Sequence, residues 1–210
     1  MTDKHLWRDD YFQTLRDVAT EASASPEWAD YAAFCTEYER GLRPQAFAIL
    51  DGFIESMGRV SFAERRRFVS WLLNRADGHG GRHMLVPHPL QQRIVEPTLK
   101  EWIEVEPAAS EPHRWLGGYE HLKRAIELDP HDELARHKFV AHILSRVGLS
   151  THELPAGYLG TPQGDLVFLD EAEAALPGLS SGDDRKQFAD SISDQRALIE
   201  EYLRERSVSP

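Results

Sequence analysis

The chain has 210 residues, of which 24 are Lys or Arg and 35 are Asp or Glu; with His neutral its net charge is −11, and 41% of it is apolar. That length can bury one full core or two small ones. The acidic balance excludes general affinity for nucleic-acid phosphates or anionic lipid, the lone Cys35 excludes an internal disulfide or a cysteine-based zinc site, and no apolar run is long enough to span a membrane.

The first residues carry Asp3, Asp9 and Asp10 without an apolar run, which is not the pattern of a secretory signal. The reading is a reducing, cytoplasmic setting. The charge is uneven. Residues 1–60 hold 11 acids against 6 bases, 61–164 hold 13 of each, and 165–210 hold 11 against 5. Nine of the ten histidines lie between His79 and His152, in the neutral middle.

Helical spacing dominates. Leu6, Trp7, Tyr11, Leu15, Val18 and Ala22 recur at three- and four-residue steps and predict a first helix. Ser25-Pro26-Glu27 opens a second, bearing Trp28, Tyr31, Phe34, Cys35 and Tyr38 and stopping at Gly41. Pro44 begins a third with Phe47, Leu50, Phe53, Ile54 and Met57. Ser61-Phe62-Ala63-Glu64 has capping-box spacing, and Phe68, Val69, Leu72 and Leu73 follow it. The glycine-rich stretch 77–83 predicts a loop. Leu90, Ile94, Leu99, Trp102 and Ile103 form the next stripe, and Pro107 and Pro112 bracket another break. A helix is expected from about His113 to Leu128, and one from the cap Asp132 to Gly148. An irregular stretch follows at 149–164. A helix near 165–176, a linker at 177–182 and a last helix over 184–205 complete the chain.

No convincing alternating strand is found. The expected fold is all-α: about eight helices in antiparallel pairs, either tetratricopeptide-like or an irregular helical array. Residues 1–210 are expected to form a single helical domain with a sub-boundary at 77–89.

The segment Lys123-Arg124-Ala125-Ile126-Glu127-Leu128-Asp129-Pro130 resembles the end of a tetratricopeptide repeat. Ala125 stands where that family uses a small residue to let two helices approach, and Asp129-Pro130 where it turns into the next unit. Trp102 falls where the family often places its first aromatic. The resemblance covers one unit around residues 99–130. Pro107 and Pro112 interrupt its first helix, and Leu159 and Gly164 occupy the matching positions 34 residues on. It implies stacked helices and a protein-binding scaffold without chemistry of its own.

His79, His83 and His88, near Asp77, are weak candidates for a metal site, since imidazoles suit zinc, nickel or copper. No His-Glu-x-x-His is present, and neither a metal nor another cofactor is expected. Gly78-His79-Gly80-Gly81-Arg82 could offer backbone N–H groups and a guanidinium to an anion. Glu133 and His137 share a helix face and read as a surface ion pair. Arg65, Arg66 and Arg67 fan out by 100° per residue and cannot form one patch. Cys35 beside Phe34 reads as a small core residue. Trp102, Trp115 and Tyr119 flank the break at 107–112, and aromatics beside a loop can form a recognition pocket.

The expected function is therefore non-enzymatic protein–protein interaction, as an adaptor or scaffold. The expected binding residues are Trp102, Trp115, Tyr119, Arg82 and His83, and the partner is a protein rather than nucleic acid or membrane. One alternative is an acidic inhibitor or immunity-type protein for a basic partner. A second is a helical metal-dependent hydrolase using the histidine-rich middle. A third is a subunit whose apolar face belongs in an oligomer.

Overall fold

The computed structural model describes residues 6–77 and 82–208, with side chains for 11–77 and 82–206. Among the described residues every regular element is helical, so the chain is all-α. No helix among them is long and apolar enough to cross a membrane. The chain forms two compact units, Met1–Pro107 and Ala108–Pro210.

In unit 1, α1 (Leu6–Ser23) leads through a single turn at Pro26–Trp28 into α2 (Ala29–Glu39), followed by α3 (Arg43–Met57) and α4 (Phe62–Ala76). Short connections fold the chain back on itself, and α2 packs against both α1 and α3. The capping box that opens α4 is formed in full: Ser61 Oγ accepts from the Glu64 N–H, and Glu64 accepts from the Ser61 N–H. Phe53 and Phe68 meet edge to face at 4.9 Å, and Tyr31 lies 5.2 Å from Phe68 and 5.6 Å from Phe53. All three rings are fully buried.

The boundary between units falls at Pro107, not within 77–89. Beyond the glycine-rich stretch, α5 (Arg82–Leu85), α6 (His88–Leu90) and α7 (Glu96–Val105) return to the core already built. Leu85, Leu90, Val95 and Leu99 expose no surface, and the buried Tyr31 hydroxyl donates to the Leu85 carbonyl at 2.7 Å. A π-helical turn, Gln91–Val95, joins α6 to α7. Pro97 explains it: proline has no N–H for the carbonyl four residues back, and its ring would press on it.

Unit 2 comprises α8 (Glu111–Leu116), α9 (Gly118–Leu128), α10 (Glu133–Thr151), α11 (Pro162–Ala175), a turn at Leu176–Gly178 and α12 (Gly182–Val208). Helix α10 packs against all four of the other helices. Phe139, Val140, Ile143 and Val147 on α10 meet Leu122, Leu169, Ala172, Ile192 and Ile199 in one buried cluster. The continuous helix expected over 113–128 is broken, because Gly117 and Gly118 take φ of +70° and +74°, the left-handed region closed to a right-handed helix. Helix α10 does not stop at Gly148 but runs to Thr151, since a glycine is tolerated inside a helix whose flanking residues are packed, and Gln195 of α12 donates to the Leu144 carbonyl at 3.0 Å. The 177–182 linker is pinned: Glu133 accepts from both the N–H and the hydroxyl of Ser180, at 2.7 and 2.6 Å. Ile192 and Ile199 are 2% and 0% exposed, and burial of each stabilises the packing of α12 by about 1.5–3 kcal/mol.

Candidate functional site

The residues expected to bind a partner separate between the units. Trp102 belongs to unit 1, where it is 2% exposed. Its Nε1 donates to Glu106 at 3.0 Å, and the Arg66 guanidinium, itself paired with Glu106, stacks on the ring at 4.1 Å. Arg65 reaches Glu101 at 2.6 Å, and Arg67 pairs with Glu27 beside Trp28. The three arginines thus serve three separate contacts, as their 100° spacing requires. Trp115, in unit 2, is 4% exposed and lies between Arg114 and Lys138, at 4.9 and 5.0 Å from its ring centroid. Both tryptophans are packing residues, which corrects the reading of them as parts of an open pocket. A buried indole at helical spacing has spent its apolar surface on its own fold.

Tyr119 is half-buried and held by its neighbours. Its hydroxyl donates to Glu171 at 2.5 Å and accepts from Lys123 at 3.1 Å, and Lys123 also reaches Glu171 at 2.9 Å. The hydrogen bond to Glu171 raises the Tyr119 phenol above its ordinary range and, with Tyr119 and Lys123, lowers the carboxyl; Glu171 and Tyr119 together hold Lys123 charged. Every shift moves the group away from neutral pH, the opposite of what a proton-transfer catalyst needs. This cluster is a clasp between α9 and α11.

On α5, His83 is exposed with its ring edge-on to Tyr11 at 6.2 Å, and Arg82 is half-buried. His88 is exposed. His79 and the glycines at 78, 80 and 81 lie outside the described residues. Among the described residues no group of three or more His, Cys, Asp or Glu is placed to hold a metal. Glu133 and His137 do not form the expected surface pair alone. Glu133 serves Ser180, which lowers its carboxyl, and the His137 ring meets Phe188 edge to face at 4.9 Å.

Cys35 is fully buried beside Tyr31, and burial pushes its thiol up to about 12. Since the thiolate is the reactive form, native protein at pH 8 should not react with Ellman's reagent over hours, while denatured protein should release one equivalent promptly. Prompt release from native protein would show that α2 opens.

A surface cleft lies in unit 2, where the loop after α10 meets α12. After α10 the chain turns through 152–157 and returns, the Leu159 N–H donating to the Ser150 carbonyl at 2.9 Å. The loop is anchored by Tyr158, whose hydroxyl donates to the buried Asp165 at 2.7 Å and whose ring stacks on Tyr202 of α12 at 5.4 Å. Burial, then Asp165, raises the Tyr158 phenol. Gly160 has φ +142°, and a Cβ there would crowd the Ser150 hydroxyl, so only glycine completes the return. The outcome is a cleft of about 290 Å³ between Leu154 and Pro155 on the loop and Leu198, Glu201, Tyr202 and Glu205 on α12.

No family model, curated protein or solved structure matches this chain. The cleft is assigned from its own chemistry. Leu154, Pro155 and Leu198 form its apolar side, with Leu198 47% exposed, and the carboxylates of Glu201 and Glu205, one helical turn apart, stand along α12. None of its residues was singled out as binding by the sequence. The stretch 149–164 reads as an irregular connection, and what distinguishes it is the concentration of Leu149, Leu154, Tyr158 and Leu159 among turn-forming residues.

Proposed function

We propose that the protein is a non-enzymatic protein-interaction domain and that the 154–205 cleft of unit 2 is its docking surface. The observation that carries this reading is the cleft itself: a concave apolar wall kept open by a loop tied to α10, α11 and α12. Leu159 and Leu149 are exposed by 54% and 66% at the same end of α10. Clustered exposed apolar side chains with a polar rim mark an interaction site.

The partner segment is one that places Arg or Lys beside apolar side chains. An aliphatic stem would cover Leu198 and Pro155 while its cation met Glu201. Unit 2 carries 18 Asp and Glu against 11 Lys and Arg, a field that speeds encounter with a cationic partner. The pair α9 and α10, joined by the Asp129-Pro130 turn with Ala125 fully buried, supports a tetratricopeptide-like scaffold role.

The test is affinity capture from the producing cells, then calorimetric titration of the purified partner. Leu198→Asp should weaken binding at least about tenfold, a loss of about 1.4 kcal/mol. Val167→Asp, at another exposed apolar position, should leave affinity unchanged. Equal affinity of wild type and Leu198→Asp would remove the cleft from the interface.

A further inference from the structure

His113 and His121 face each other across the α8–α9 corner with their Nδ1 atoms 2.9 Å apart and ring centroids 5.2 Å apart. His113 is 9% exposed, whereas His121 is open to solvent. Two nitrogens at that separation must share a single hydrogen, one donating and one accepting. The contact therefore exists with both rings neutral, or with one cation donating to its neutral partner. With two cations both Nδ1 atoms carry hydrogen, no acceptor remains, and two like charges face each other.

We propose that this imidazole pair is a proton-operated latch that helps hold α8 against α9 and loosens that hold when the second proton arrives. The hinge is already built. Gly117 and Gly118 are both in the left-handed region, and nothing lies within 4 Å of the Cβ position of either, so the backbone joining the two helices is unencumbered by side chains at the corner. What α8 carries is the buried Trp115 and Arg114, which bonds Asp132 at 2.7 Å.

The charges around the pair set its response. On α9, Arg124 adds positive potential at His113, while Glu120 is the sequence neighbour of His121. Helix α8 contributes Glu111 and Arg114, which lie 3.7 Å apart, and α10 contributes Lys138 beside Trp115 and, at its cap, Asp132. Burial, then the charges of His121 and Arg124, lower the affinity of His113 for a proton below that of an ordinary imidazole. A lowered folded value means that the unfolded or released segment binds the proton better. Latch stability is thus complete above about pH 6.5, the free imidazole value, and is lost as pH falls below it. A metal does not account for the pair, because no third His, Cys, Asp or Glu among the described residues joins these two nitrogens.

Hydrogen exchange on the full chain, in EDTA and corrected for intrinsic rates, tests the latch. Between pH 7.5 and 5.0, protection over residues 113–121 should fall about tenfold, a change of about 1.4 kcal/mol, while α2 and α3 keep theirs. His121→Asn places an amide near the Nδ1 position and cannot take a second charge, so it should flatten this dependence. His113→Asn should flatten it as well, which covers the case in which one variant folds poorly. An unchanged wild-type protection, or the same loss in both Asn variants, would overturn the latch.

Discussion

Asp132→Ala should destabilise unit 2 by about 3–5 kcal/mol, the usual cost of leaving one partner of a buried ion pair uncompensated. Asp132 has two tasks. One oxygen accepts from the Ala135 N–H at 2.9 Å and starts α10; the other takes Arg114 Nη1 at 2.7 Å. The Asp132 and Arg114 side chains are 3% and 15% exposed, so solvent does not screen the pair as it would a surface bridge. The cap alone is worth about 1 kcal/mol. Asp132→Asn keeps a capping oxygen and loses the charge, so it separates the two tasks: most of the loss should remain in Asn. Arg114→Met should come close to the same value, because it strands the carboxylate, and the double variant should cost less than the sum of the singles. Denaturation followed by exchange in the α10 amides reads all four. A loss in Asp132→Ala confined to the capping value would mean that Arg114 contributes little.

The cap half of that pair was legible in the sequence, the ion-pair half was not. Asp132 stands at the head of a helical stripe, and short-range chemistry of that kind can be read from neighbours in the chain. Arg114 lies 18 residues away across a corner, and nothing in the local pattern connects the two. The same division runs through the molecule. Ser61 and Glu64 are legible because a capping box is complete within four residues. The stripe Leu90, Ile94, Leu99 contains one five-residue step, the spacing of a π-helical turn, and Pro97 behind it supplies the cause; read as an ordinary helix, it hid the irregularity. Gly117-Gly118 stands between apolar stripes that are in phase with each other, a pattern that an unbroken helix would also show. Trp102, Trp115 and Tyr119 stand near a break in sequence, yet burial depends on tertiary partners such as Arg66, Lys138 and Glu171. The cleft was the least legible feature, since it needs the Tyr158 anchor to bring a loop against a helix some 40 residues later.

Phe68→Ala should cost about 3–5 kcal/mol, the range for removing a large ring from a closed core, and its effect should be felt in unit 1. Phe68 is 0% exposed and meets Trp28, Tyr31, Phe53 and Trp71 with ring centroids 5.6, 5.2, 4.9 and 6.0 Å away. These neighbours come from the turn before α2, from α2, from α3 and from α4 itself, so one deletion loosens four elements. The cavity cannot fill cheaply. Tyr31 is tied through its hydroxyl to the Leu85 carbonyl, and a shift toward the void would leave that carbonyl without its donor, a further cost of about 1–3 kcal/mol. Phe68→Leu, which keeps much of the volume, should recover more than half of the loss. Urea denaturation monitored by tryptophan emission gives the size, and exchange resolved by segment gives the place. If the α10 and α12 amides lost as much protection as those of α2 and α3, the two units would unfold together rather than each on its own core.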